Sequence, residues 1–217
     1  MRRALTVSAA VAALALPLSA APAASAAPAD PPPADRITID VLTVNGSGCR
    51  AGTAAVATAS DNTAFTVTYS DYLAQAGGAS GPTEFRKNCQ ISMQVHVPQG
   101  FTYAIAGADY RGFAHLADGA SGMERASYYH QGMAQTTPVS HTVQGVYSDN
   151  WQFSDRTPVS ELVFKPCGVD RNFNINTELR VLKGTSDPAE TSFMAFDSTD
   201  GSVKTTYHFE WKRCPGV

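Results

Sequence analysis

From Cys89 to Leu116 the chain alternates with a period of two. Cys89, Ile91, Met93, Val95 and Val97 are separated by Gln90, Ser92, Gln94 and His96. After Pro98-Gln99-Gly100 the pattern resumes with Phe101, Tyr103 and Ile105. Such spacing puts an apolar row on one side of a strand and a polar row on the other. The stretch reads as a long β-hairpin with one face in a core and a cysteine at its root.

The same period runs through most of the chain. Arg36 to Val44 is a first strand, with Ile37, Ile39 and Val41 on one side. Thr53–Thr58 and Ala64–Tyr69 flank Ser60-Asp61-Asn62, a hairpin turn. Asp71 to Pro82 holds Gly77-Gly78 and Gly81-Pro82 and reads as a loop. Glu124–Gln131, Val139–Val146, Trp151–Asp155 and Val159–Phe164 are short strands, and the adjacent Tyr128 and Tyr129 face opposite ways. Phe173 to Lys183 puts Phe173, Ile175, Thr177, Leu179 and Val181 on one face. Ser192–Asp197 and Val203–Arg213 pair across Ser198-Thr199-Asp200-Gly201, and Val203, Thr205, Tyr207, Phe209 and Trp211 share a face. About ten to twelve strands, no long amphipathic helix and no repeat of roughly 20–50 residues point to an all-β fold. The expected architecture is a two-layer antiparallel β-sandwich, jelly-roll or Ig-like, rather than a closed barrel.

Arg2-Arg3, an apolar run through about Leu18 and Ala24-Ser25-Ala26 describe a secretory signal peptide over residues 1–26. A Pro/Ala-rich leader, extended and with nothing to pack against, follows over 27–36; a single domain occupies 37–217. No later stretch approaches the roughly 18 apolar residues of a membrane span. Losing Arg2 and Arg3 takes the formal net charge from −3 to −5. Mild acidity without a basic block gives no electrostatic case for nucleic acid or anionic lipid. The chain is expected outside the cell.

All four cysteines, 49, 89, 167 and 214, follow the leader. An even number in an exported chain reads as two disulfides, with three possible connectivities. Cys49–Cys89 and Cys167–Cys214 is the favoured pairing, because each cysteine flanks a strand and the two halves are then stapled separately. The rival reading, a metal site, lacks the C-x-x-C spacing of zinc centres.

Chemistry is harder to find. His96, His115, His130, His141 and His208 form no ligand spacing, no serine sits in a G-x-S-x-G elbow, and no cofactor is implied. His96 and His208 fall on polar rows, as solvated or hydrogen-bonded surface residues do. Asp109, Asp118, Glu124, Asp155, Glu161, Glu178 and Glu210 could supply the carboxylate pair of a glycoside hydrolase, but spacing does not say which converge. Asp118-Gly119 and Asp197 to Gly201 are better explained as turns than as calcium sites. The most distinctive set is aromatic and polar: Tyr103, Tyr110, Arg111, Phe113, Tyr128, Tyr129, Tyr147 and Trp151, half of it core by alternation. Flat rings beside hydrogen-bonding groups suit glycan or peptide surfaces. Tyr110, Arg111, Tyr128, Tyr129 and Asp109 are therefore the candidate ligand-binding residues, with Arg111 expected to pair with an acid such as Asp109.

Several phrases together resemble a secreted four-cysteine family, domain of unknown function 4360. They are Gly46-Ser47-Gly48-Cys49 with Gly52-Thr53, Phe85-Arg86-Lys87-Asn88-Cys89-Gln90, Asp109-Tyr110-Arg111-Gly112 and Pro166-Cys167-Gly168. Asn174-Ile175-Asn176-Thr177, Asp197-Ser198-Thr199-Asp200-Gly201 and Trp211-Lys212-Arg213-Cys214 complete the set, which spans Asp40 to Cys214. Arg50 departs from the proline that commonly follows the first cysteine in that family. The resemblance implies export, four cysteines and a β-rich domain, and it brings no activity, ligand or catalytic residue.

Three functional readings follow. The first is a non-enzymatic module that binds an extracellular glycan or protein. The second is a carbohydrate-active enzyme using a carboxylate pair. The third is an extracellular protease inhibitor presenting Asp71 to Pro82 as a disulfide-braced loop.

Overall fold

The computed structural model describes residues 30–196 and 204–216. The signal-peptide assignment, the start of the leader and the Asp197–Gly201 turn lie outside the described residues. Strands β1 (Thr38–Asn45), β2 (Ala54–Thr58), β3 (Ala64–Tyr69), β4 (Leu73–Gly77), β5 (Arg86–His96) and β6 (Phe101–Leu116) come first. They are followed by β7 (Ser121–His130), β8 (Val139–Gln144), β9 (Tyr147–Arg156), β10 (Phe173–Leu182), β11 (Thr191–Ala195) and β12 (Thr205–Arg213). One antiparallel sheet has the order β1-β5-β10-β7-β8 and the other β2-β3-β12-β6-β11-β4, with β9 on the free edge of β6. The two pack as a sandwich.

Alternation decides which side chains enter the core. Ile91 and Met93 of β5, Ile175, Leu179 and Val181 of β10, and Tyr207, Phe209 and Trp211 of β12 are all buried. Across the interface Phe65 meets Phe173 edge-on at 6.3 Å, and Tyr128 meets Tyr207 edge-on at 6.2 Å. Each such side chain contributes about 1.5–3 kcal/mol by leaving water. Cys49–Cys89 and Cys167–Cys214 are both formed, with Cα separations of 5.3 and 5.8 Å.

Pairing departs from the sequence reading at several points. β5 and β6 are not a hairpin: β5 bonds β1 and β10 in one sheet, while β6 bonds β12, β11 and β9 in the other. Pro98-Gln99-Gly100 therefore carries the chain from one layer to the other, with Gly100 at φ +85°. Alternation looks the same whether a strand pairs with its neighbour or crosses to the opposite sheet. Likewise β11 and β12 do not pair with each other among the described residues. At residues 107–109 of β6 one edge is taken by β9 and the other by β12; at 113–115 that second edge is taken by β11. The two strands thus share one edge of β6 end to end.

Within Asp71 to Pro82, read as a loop, Leu73–Gly77 forms strand β4 against β11. Its alanine and glycine content hid it, and little of the segment is left as an inhibitor-like loop. Val159–Phe164 is no strand: Val159–Glu161 makes one 3-10 turn after Pro158, and Val159 is exposed. The leader packs where it is described. Asp30 bridges Trp211, Pro33 is buried, and Asn62 Nδ2 donates to the carbonyls of Pro33 and Asp35, both at 2.9 Å. Prolines lack donors, so this segment relies on a side chain from the sandwich rather than on its own ladder.

Candidate functional site

The two sheets part at one edge. On one side lie β7 and β8, on the other β9, and two segments close the ends: residues 131–138 and the turn around Thr157–Val163. Between them is a cleft of about 490 Å³. Its lining includes Tyr110, Tyr128, Gln135, Thr136, Ser154, Asp155, Arg156, Thr157 and Glu161.

Two polar ties cross the gap. The Tyr128 hydroxyl shares a hydrogen bond with Thr157 Oγ1 at 3.2 Å, joining β7 to the end of β9. His141 Nε2 meets Asp155 Oδ1 at 2.8 Å, joining β8 to β9. The His141 ring also stacks on Phe153, 4.5 Å away and 9° from parallel. Behind them sits Glu124, fully buried and opposite His141 in the β7–β8 register. Neither of its carboxyl oxygens has a hydrogen-bond partner among the described residues, and the same holds for the Tyr110 hydroxyl. Burial, reinforced by the negative charge of Asp155, pushes the Glu124 carboxyl well above its ordinary range and so favours its neutral form. Burial also raises the phenols of Tyr110 and Tyr128, with Asp155 adding to it.

Of the residues expected to bind ligand, Tyr110 and Tyr128 line this cleft, Tyr110 as a fully buried ring in its floor. Tyr129, with Tyr128, lines a smaller hollow beside it. Asp109 and Arg111 flank Tyr110 on β6 and so point to the outer face of the seven-stranded sheet. There Asp109 accepts from Ser154 Oγ at 2.6 Å, from Arg156 Nη2 at 3.0 Å and from His208. Burial raises its carboxyl, but these three donors more than offset that and hold it at about 2. The partner of Asp109 is therefore Arg156 and not Arg111; Arg111 forms no ion pair among the described residues. His96 bonds Asp40 at 2.8 Å, so both polar-row histidines are surface hydrogen-bonding groups.

The reading from sequence missed Gln135, Thr157 and the pairing of His141 with Asp155. One signal was available. Trp151, Phe153 and Asp155 occupy successive inward positions of β9, so a carboxylate continues an apolar row; Glu124 does the same between Gly122 and Ala126.

The family described as Domain of unknown function (DUF4360) matches residues 35–214. An uncharacterized secreted protein of Arthroderma benhamiae is 32% identical over 180 residues, covering 83% of this chain and 73% of that protein. Among solved structures, TmCBM61 in complex with beta-1,4-galactotriose aligns over 82% of this chain and 88% of that one. It does so at 10% identity and a TM-score of 0.27, a likeness that carries no argument about this chain. Two formed disulfides and a secreted relative place the protein outside the cell.

Proposed function

We propose that this protein, which belongs to the DUF4360 family, is a non-enzymatic extracellular module holding a hydroxyl-rich ligand, the end of a glycan chain, in the cleft between β7 and β9. The observation that carries this reading is the lining. One tyrosine ring (Tyr128) stands beside the hydroxyls of Thr136 and Thr157, the amide of Gln135 and the carboxyl groups of Asp155 and Glu161. An aromatic ring covers the apolar face of a sugar at low entropic cost, and donors and acceptors around it fix orientation. The volume falls within the roughly 300–1,000 Å³ of small-ligand sites.

A glycan array with the folded protein tests this, followed by calorimetry on any hit. Gln135→Ala and Thr157→Val should each weaken binding about tenfold, the loss of one hydrogen bond to a desolvated ligand. A blank array, or hits indifferent to both variants, would remove the cleft from consideration.

A second reading has its own support, since Asp155 and Glu161 line the same cleft and glycoside hydrolysis needs two carboxyl groups flanking the bond. Release of reducing ends by the wild type, abolished in Glu161→Gln, would establish it in place of simple binding.

A further inference from the structure

The outer face of the five-stranded sheet carries a second, independent feature. Because Cys89, Ile91, Ile175 and Leu179 point inward, the residues between them form a polar surface whose rows follow from the register. Asn45, Gln90, Asn176 and Ser127 are cross-strand neighbours on β1, β5, β10 and β7. One step along, Asn88, Glu178 and Arg125 form the next row; beyond it Arg86 faces Arg180. Rows of this kind stand about 7 Å apart, with about 4.8 Å between strands.

A depression of about 260 Å³ lies over these rows, walled by Gln135 and Pro138. At its end Glu178, a buried carboxylate, is gripped from both sides. Arg86 Nε donates to Oε2 at 2.8 Å; Arg180 Nε and Nη2 donate to Oε1 at 3.1 and 2.7 Å. One acid thus holds two guanidiniums in place, and Arg125 beside it is exposed, its side chain making no hydrogen bond or ion pair among the described residues. Three arginines around a single glutamate make a local excess of positive charge on a chain whose formal net charge is −3. The side-chain amides of Gln90 and Asn176 likewise bond nothing among the described residues, and none of the exposed large apolar side chains lies in this depression.

We infer that this groove binds an anionic polysaccharide, with the Arg86–Arg125–Arg180 cluster taking a carboxylate or sulfate group and the amide row taking sugar hydroxyls. Guanidinium forks match planar and tetrahedral oxyanions in geometry and charge. Side-chain amides present a donor and an acceptor together, as a hydroxyl does. A protein partner would call for a large exposed apolar anchor at the centre of its contact, and no such side chain lines this depression. The site shares the wall residue Gln135 with the cleft but opens on a different face, and Thr157 belongs to the cleft alone.

Affinity electrophoresis and calorimetry of the full secreted protein with polygalacturonate, dextran sulfate and neutral dextran would test the inference. Retention by at least one anionic polymer and not by neutral dextran is expected, falling at least tenfold between about 0.05 M and 0.5 M salt. Polygalacturonate alone would identify the anion as a carboxylate, dextran sulfate alone as a sulfate ester. Arg125→Gln should lower affinity at least tenfold and leave unfolding unchanged, because Arg125 supports no other residue; Thr157→Val in the cleft should leave it intact. Binding that survives Arg125→Gln unchanged, equal retention by neutral dextran, or no retention by either polyanion would overturn the assignment.

Discussion

Glu124→Gln is the substitution from which most can be learned. The side chain is 0% exposed, both carboxyl oxygens lack partners, and Asp155 places a negative charge nearby. Its folded pKa therefore lies above the ordinary 4.5, first by burial and then by Asp155. The sign follows from proton counting. Above 4.5 the unfolded chain releases this proton while the folded chain keeps it, so the folded state is the one that binds more protons. Stability from this group is complete below 4.5 and drains as pH rises toward the folded pKa. Each pH unit in that window changes the folding equilibrium about tenfold, about 1.4 kcal/mol. Glutamine keeps the shape and buries a comparable polar group but never ionises. The difference in unfolding free energy between variant and wild type should stay flat below 4.5 and then grow in favour of glutamine. Two pH units of climb separate the proteins by about 3 kcal/mol for as long as the folded carboxyl stays protonated. Urea titrations followed by the fluorescence of Trp151 and Trp211, both 3% exposed, would measure it from about pH 4 to about pH 8. Contributions from other titrating groups cancel in the difference. Two parallel stability curves would show that the carboxyl titrates alike in both states, and the argument from burial would fail.

Other outcomes are expected. His130, buried between Tyr103 and Phe173, has its imidazole pushed down by burial to about 4 from 6.5. The neutral ring is favoured in the fold, so stability should drop by about 3 kcal/mol as pH falls from 6.5 to 4, and His130→Phe should flatten that limb in acid titrations. Asn62→Ala removes donors to Pro33 and Asp35 and an acceptor for the Ile37 amide, at a residue with φ +57°. It should cost about 2–3 kcal/mol, and limited proteolysis should cut residues 30–37 sooner than in the wild type. Replacing Cys167 and Cys214 by serine opens a loop of 47 residues, worth about 4 kcal/mol in the chain-entropy account and readable as a lower denaturation midpoint.

The candidate cleft was half legible in the sequence. Tyr110 and Tyr128 stand out as aromatics within polar strands, and both reach it. Asp109 and Arg111 stand beside Tyr110 in the chain, yet the pleat turns them to the opposite face. Gln135 and Thr157 belong to connecting segments, where no period marks direction. The polar rows of β5 and β10 were visible as alternation; that Gln90 lies beside Asn176, or that Arg86 and Arg180 share Glu178, was not.

Residue order alone settled what is local. A period of two needs only a strand's own pleat, so the inward rows of β5, β10 and β12 could be read off directly. Four cysteines flanking strands were enough to anticipate both bridges. Partner choice is another matter, because a strand's hydrogen-bonding edges are backbone and nearly identical from one sequence to the next. Only the packed molecule could decide that β6 leaves β5 for the opposite sheet, that β11 and β12 share one of its edges, and that Asp30 and Pro33 dock on the sandwich. Those choices minimise exposed apolar area over the whole chain at once, and the cleft opens where the two layers they create stop touching.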